Sequence, residues 1–140
     1  MIHLTINEHV AEALMKAARE ASSRAYVPYS AFPVGAAVLC SNGDMVSGCN
    51  VENASYGLTC CAERIACFTA IAQGQRELAA IAVTAPRLPT VTPCGACRQV
   101  LNEFKPSNRD LIVILDGPLG FTQVPLAELL PRAFGPKDLE

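Results

Sequence analysis

The sequence lacks three kinds of segment, and each absence excludes a class of protein. No apolar run approaches the roughly 18 residues of a membrane helix, so we do not expect a membrane-spanning protein. Lysine and arginine form no cluster and the net charge is −2, which disfavours a phosphate backbone as partner. The first residues show no basic segment followed by an apolar stretch, so no signal peptide is expected and the cytoplasm is the default location.

The chain is rich in apolar residues and cysteine instead. Of its 140 residues 51% are hydrophobic and only 17% are charged, which indicates a buried core together with a buried subunit interface. At this length we expect one domain over residues 1–140. The seven cysteines are an odd number in a chain without a signal peptide. They favour reduced thiols and a metal site over a disulfide framework.

Hydrophobic periodicity predicts alternating strands and helices. Expected helices cover Asn7–Arg24, Ala62–Gln73, Cys94–Phe104 and Leu126–Leu130, and expected strands cover Val34–Cys40, Met45–Cys49, Leu78–Thr84, Leu111–Leu115 and Phe121–Val124. A capping box from Thr5 to Glu8 would start the first helix. The small residues Gly35, Ala36 and Ala37 indicate close approach of another element. Two strand–helix–strand units predict a three-layer α/β domain, with a mixed sheet of about five strands flanked by helices.

Two short cysteine motifs carry the chemistry. Cys61-Ala-Glu63 is followed by Cys94-Gly-Ala-Cys97, which itself comes directly after a proline. Three thiols can hold one zinc ion and leave a fourth position open for water, whereas a structural zinc site fills all four positions with protein ligands. Glu63 then stands beside the metal as an acid that moves protons. This is the layout of a zinc-dependent nucleobase deaminase.

Both motifs begin at predicted helix N-termini, where the helix dipole lowers the pKa of a thiol. Cys61 and Glu63 diverge by about 200° on an ideal helix, so they face one site only if Cys61 lies at or before the first turn. Arg64 falls on the side of Cys61 and is expected to offset the charge of the thiolates. Cys60 directly precedes Cys61, so either thiol of the pair is a candidate ligand, and the Cys-x-Glu spacing favours Cys61.

The residues around these motifs resemble the small homotetrameric cytidine deaminases that use three cysteine ligands. The resemblance runs through residues 26–35, 50–64, 93–101 and 129–134, and so covers nearly all of the chain from Tyr26 onward. It implies a cytidine deaminase-like fold and one Zn²⁺ per chain, held by Cys61, Cys94 and Cys97. It also implies hydrolytic conversion of cytidine, and of 2′-deoxycytidine, to the uridine product with release of ammonia in pyrimidine salvage.

The resemblance further implies roles for single residues. Glu63 shuttles protons, and Arg64 neutralises the thiolates. Asn50 and Glu52 bind the ribose, mainly at its 3′ hydroxyl, and Phe32 packs on the pyrimidine. The other substrate-contacting positions are Ala54, Tyr56, Ala62 and Phe134. Of these, Tyr56 and Phe134 match positions that reach a neighbouring subunit, which implies a homotetramer with shared active sites acting on a small nucleoside.

Three alternatives remain on the residues themselves. A polynucleotide deaminase would commonly use histidine as first ligand and carry a basic surface. A deaminase of a cytosine-containing antibiotic of the blasticidin kind should lack the pair Asn50 and Glu52. A non-catalytic zinc module for assembly would have four protein ligands and would tolerate loss of Glu63. Without the resemblance, Asn50 and Glu52 would be ordinary loop residues, and Phe32 and Phe134 would be core residues.

Overall fold

A computed structural model describes residues 6–140, and the first helix lies near the start of that range. This helix, α1, covers Glu8–Ser22 and begins at Asn7, whose side-chain oxygen accepts a hydrogen bond of 2.9 Å from the His9 amide. An asparagine at this position satisfies one of the amides that a helix start leaves unpaired. The predicted capping box begins at Thr5, which lies outside the described residues.

In the described part of the chain, five strands form one mixed sheet in the order β2-β1-β3-β4-β5. The strands are β1 (Gly35–Cys40), β2 (Met45–Cys49), β3 (Leu78–Thr84), β4 (Ile112–Leu115) and β5 (Thr122–Pro125). β1 runs antiparallel to β2 and β3, β3 runs parallel to β4, and β4 runs antiparallel to β5. The expectation of a mixed sheet of about five strands is confirmed.

Three further helices follow α1. α2 (Ala62–Ala72) connects β2 to β3, α3 (Gly95–Glu103) connects β3 to β4, and α4 (Leu126–Leu129) follows β5. The two connections through α2 and α3 are the predicted strand–helix–strand units. Within residues 6–140, no helix combines the length and the apolar character needed to cross a bilayer.

The sheet separates two hydrophobic clusters, which gives the molecule three layers. α1 packs on one face, and α2 and α3 pack on the other. Side chains of β1 and β3 alternate between the faces, as strand geometry requires. They are Ala37, Ala80 and Ala82 on the α1 face and Val38, Ile81 and Val83 on the opposite face. At these positions β1 and β3 present small side chains to α1 and larger ones to the helices with the cysteine motifs, whereas β4 adds Ile112 and Ile114 to the α1 face.

Two glycines let helices approach the sheet backbone. A Cβ placed on Gly35 in β1 would lie 1.8 Å from the Ala18 carbonyl oxygen of α1. A Cβ placed on Gly48 in β2 would lie 2.5 Å from the Ala66 nitrogen and 3.0 Å from the Ala62 oxygen of α2. The close approach expected at Gly35 is confirmed. The contact at Gly48 fixes the distance between β2 and the helix that follows Cys61.

Candidate functional site

The two cysteine motifs occupy helix starts in the same way. Cys61 is the residue that caps α2, with extended dihedral angles of φ −67° and ψ 152°, and Cys94 caps α3 with φ −66° and ψ 168°. Both thiols therefore precede the first helical turn. Glu63 follows as the second residue of α2. This arrangement meets the condition under which Cys61 and Glu63 can face one site.

Three thiols converge between the starts of α2 and α3. The sulfur atoms of Cys61, Cys94 and Cys97 all lie within 4.8 Å of one another. The Cys61–Cys94 separation is 3.9 Å and the Cys94–Cys97 separation is 3.4 Å. A tetrahedral zinc ion with Zn–S bonds of about 2.3 Å places its sulfur ligands about 3.8 Å apart. The cluster fits one zinc ion. Of the neighbouring thiols Cys60 and Cys61, only Cys61 belongs to the cluster found among the described residues.

The surroundings of the cluster favour a thiolate at Cys61. The pKa of the Cys61 thiol is lowered to about 5 by a hydrogen bond from Cys97 and by the Arg64 guanidinium, against the opposing effect of burial. The pKa of Cys97 is raised, because its thiol donates to Cys61 and is buried. A thiolate is the form of cysteine that binds metal. The surroundings of Cys61 therefore favour the form of the thiol that binds metal.

Arg64 lies directly beside the cluster. Its Nη2 atom is 3.5 Å from the Cys61 sulfur and 3.5 Å from the Thr59 carbonyl oxygen. The contact with Cys61 raises the pKa of the guanidinium above its ordinary value. Within residues 6–140, the buried Nε atom of Arg64 has no hydrogen-bond partner. A positive charge therefore stands next to the Cys61 thiol.

Glu63 is a buried acid, with 5% of its surface exposed. Burial raises the pKa of its carboxyl, and the negative charge on Cys61 adds to the increase. Desolvation disfavours the charged form of a carboxyl, so the group exchanges its proton nearer to neutral pH. A buried acid with a raised pKa beside a metal cluster is a candidate for proton transfer.

Asn50 and Glu52 fasten the loop that carries Phe32. The buried side chain of Asn50 accepts a hydrogen bond of 2.9 Å from the Val34 amide and donates one of 2.9 Å to the Phe32 carbonyl. One Glu52 oxygen accepts hydrogen bonds from the amides of residues 29 and 30, at 2.9 and 3.1 Å. The Ser30 hydroxyl donates to the other oxygen and is the main cause of a lowered pKa at Glu52. Ser30 was not among the predicted site residues, because the sequence offers no separate signal for it.

The remaining predicted substrate positions differ in exposure. Ala62 is fully buried at the start of α2, and Phe32 is half-buried. Ala54 is exposed, and Tyr56 and Phe134 are 73% and 60% exposed. The Phe134 carbonyl accepts hydrogen bonds from two side chains of α3. These donors are Gln99 at 2.8 Å and Asn102 at 3.3 Å.

The four cysteines outside the cluster differ in burial. Cys40 and Cys67 are buried, and Cys49 and Cys60 are half-buried. Both lie where the chain leaves β2 and approaches α2, in a segment with little covering structure. All seven cysteines of the chain are free thiols.

The fold and the site together define a zinc-dependent hydrolytic deaminase, because a three-thiol cluster at two helix starts lies beside a buried carboxyl group. The family model described as "Cytidine and deoxycytidylate deaminase zinc-binding region" matches residues 8–113. The chain belongs to this family of cytidine and deoxycytidylate deaminases. The zinc-binding region and the cluster agree on one zinc ion per chain as the cofactor.

Individual relatives cover almost the full chain. The cytidine deaminase of Halalkalibacterium halodurans is 50% identical over 127 residues, which span 90% of this chain and 95% of the relative. The cytidine deaminase of Mycobacterium tuberculosis H37Rv is 45% identical over 122 residues, 87% of each chain. The crystal structure of cytidine deaminase from Burkholderia pseudomallei has a TM-score of 0.81 at 45% identity and covers 92% of this chain and 100% of that chain. The predicted fold class is confirmed.

Proposed function

We propose that this chain hydrolyses the C4 amino group of cytidine and 2′-deoxycytidine, yielding the uridine product and ammonia, as a step of pyrimidine salvage. The observation that carries the proposal is the buried Glu63 carboxyl next to a three-thiol cluster that fits zinc. The names of relatives at 45–50% identity over nearly their whole length support the substrate class. In this proposal residues 1–140 act as one domain.

The proton transfers fall to Glu63. Cys61, Cys94 and Cys97 would hold the zinc ion, which would act as a Lewis acid and make water nucleophilic at neutral pH. The Glu63 carboxylate accepts the first proton of the attacking water and delivers it to N3 of the base. It accepts the second proton of that oxygen, now bonded to C4, and delivers it to the departing amino group. Its raised pKa suits a group that must both take and give protons.

Arg64 adjusts the charge of the site. Three thiolates outweigh the two positive charges of zinc, and an excess of negative charge opposes the ionisation of water. The Arg64 guanidinium, 3.5 Å from the Cys61 sulfur, offsets part of this excess. The dipoles of α2 and α3, whose positive ends point at Cys61 and Cys94, act in the same direction.

The substrate side of the site is assigned to the loop that Glu52 and Asn50 hold. We assign the ribose, mainly its 3′ hydroxyl, to Asn50 and Glu52, and the pyrimidine face to Phe32. Support comes from the direct hydrogen bond between Asn50 and the Phe32 carbonyl, which ties sugar and base recognition into one rigid unit. We place Ala54 and Ala62 among the surrounding substrate contacts.

We infer a homotetramer with shared sites, in which Tyr56 and Phe134 reach a neighbouring copy. Large apolar side chains are exposed in the single chain, with Leu58 at 70% and Phe68 at 47% in addition to those two. Exposed apolar groups of this kind mark interaction surfaces. Apart from other copies of the chain, the proposed partner is the free nucleoside. The proposal includes neither a nucleic acid polymer nor a membrane as a partner. Seven free thiols support a reducing, cytoplasmic location.

The test replaces Glu63 by glutamine, which keeps the shape of the side chain and removes proton transfer. Glu63→Gln should retain about one zinc per chain and the wild-type unfolding curve. Its rate of cytidine turnover should fall by about 10²–10⁴-fold, which is the typical contribution of general acid–base catalysis. The matched control is Glu12→Gln, an exposed position on α1, which should keep full turnover. Absence of cytidine turnover by zinc-replete protein, or full turnover by Glu63→Gln, would contradict the proposed function.

A further inference from the structure

The loop before β1 contains a strained residue immediately ahead of Phe32. Ala31 has a φ of +53°, in the left-handed region that a residue with a side chain adopts only at a cost. Its amide donates to the Val27 carbonyl at 3.0 Å, which closes a tight turn. Such a conformation persists where surrounding contacts hold it. The direction in which the Phe32 ring leaves the loop depends on this turn.

Arg87 makes a second contact that holds the turn from outside, in addition to the hydrogen bonds that Glu52 accepts from the amides of residues 29 and 30. Its Nη1 atom donates a hydrogen bond of 2.8 Å to the Ala31 carbonyl oxygen, across 56 positions of sequence. Its guanidinium carbon lies 6.0 Å from the centroid of the Phe32 ring, at the outer limit of a cation–π contact. One side chain thus touches both the strained peptide and the aromatic ring.

The position of Arg87 in the chain links this contact to the metal site. Arg87 lies in the connection between β3 and α3, and the same connection ends at Cys94. The groups of Phe32 itself are held from other directions, its amide by the Ser30 hydroxyl at 3.0 Å and its carbonyl by Asn50. Arg87 is therefore a bridge between the loop that bears Phe32 and the segment that bears a zinc-ligating thiol.

We propose that Arg87 is a positioning residue for nucleoside binding: it fixes the turn at Ala31 and thereby the orientation of Phe32 against the pyrimidine. Arg87 acts through Phe32 and takes no part in the proton transfers of Glu63. The inference rests on the proposed function, because it assigns Arg87 to the recognition of the base in that reaction.

The first test separates affinity from rate. Arg87→Ala should raise KM for cytidine about tenfold, the equivalent of about 1.4 kcal/mol, and leave kcat and zinc content close to wild type. Arg87→Lys keeps a charged donor but loses the flat guanidinium, so its KM should lie between that of the wild type and that of Arg87→Ala. Arg76→Ala is the matched control, because Arg76 is also exposed and donates to a backbone carbonyl, that of Ile71 at 2.9 Å. Its KM should equal that of wild type.

The second test asks whether Arg87 acts through Phe32. In a Phe32→Ala background, Arg87→Ala should produce no further increase in KM, since the ring that it orients is gone. A wild-type KM in Arg87→Ala, a main effect on kcat, or an equal increase in KM with and without Phe32 would overturn the inference while the enzyme stays active. Absence of cytidine turnover by the wild type would instead overturn the proposed function, and the inference with it.

Discussion

Gly48→Ala tests whether the position of α2 on the sheet controls catalysis. The added Cβ would lie 2.5 Å from the Ala66 nitrogen and 3.0 Å from the Ala62 oxygen, both of them backbone atoms. Non-bonded heavy atoms rest about 3.5–4.0 Å apart, so α2 must move by about 1 Å. Overpacking of this kind costs about 1–3 kcal/mol of unfolding free energy. Because Cys61 and Glu63 move with α2, a shift of about 1 Å should also lower kcat/KM by about 10²-fold.

The control separates helix position from stability. Gly43 in the turn between β1 and β2 has a φ of +98°, and a Cβ there meets no atom within 4 Å. Gly43→Ala should therefore cost about 1–2 kcal/mol through backbone strain alone and keep its turnover. Both variants are compared by denaturant unfolding and by cytidine turnover at a temperature where each is folded. Wild-type stability and turnover in Gly48→Ala, or equal loss of turnover in Gly43→Ala, would refute the reasoning.

Three other predictions concern charge and assembly. Burial opposes ionisation of Asp116, but hydrogen bonds from Arg19 and Thr84 outweigh this effect and lower the pKa of the carboxyl. The ionised Asp116 therefore stabilises the fold at pH values above the ordinary pKa of about 3.9. This stabilisation is lost as the pH falls through the lowered pKa. Asp116→Asn should lower the free energy of unfolding at pH 7 by only about 1–2 kcal/mol, because Arg19 is half-exposed. In urea unfolding, the difference between the variant and the wild type should narrow below about pH 4. A difference that does not change with pH would contradict this prediction. Arg64→Ala should lose zinc to a chelator faster than the wild type or convert cytidine more slowly. Wild-type zinc retention together with wild-type turnover would show that Arg64 does not offset the charge of the thiolates. Deletion of residues 134–140 should impair turnover if Phe134 serves a neighbouring site, whereas full activity as a monomer, measured with light scattering, speaks against sharing.

The elements that depend on local sequence could be predicted well. Every residue of β3 is buried, as its continuous apolar run indicates, and the helix and strand bounds agree with expectation to within two residues. Part of the metal cluster could also be predicted, because Cys94 and Cys97 lie three residues apart at a helix start and meet through local geometry. Cys61 starts a different helix and joins them only once the chain has folded. The placement of Cys61 before the first turn followed from the same geometry, since no other position lets it share a site with Glu63.

Contacts between distant loops could not be predicted. Arg87 and Ala31 meet only once β1 and β3 are paired, and nothing in either segment indicates the other. The ion pair of Arg19 with Asp116 joins α1 to the end of β4 in the same way. The positive φ of Ala31 was equally hidden, because glycine is the residue that usually signals such a turn. Tyr56 and Phe134 are large apolar side chains, which on general grounds would be expected in the core. Only the resemblance to the cytidine deaminases, in which these positions reach a neighbouring subunit, indicated that they would be exposed.

α3 carries Cys97 near its first turn and Asn102 near its end, about 7.5 Å further along the axis. Cys97 belongs to the three-thiol cluster, and the side-chain amide of Asn102 donates a hydrogen bond to the Phe134 carbonyl. One short helix therefore joins the metal cluster to the segment around Phe134, so a displacement of α3 would move both together.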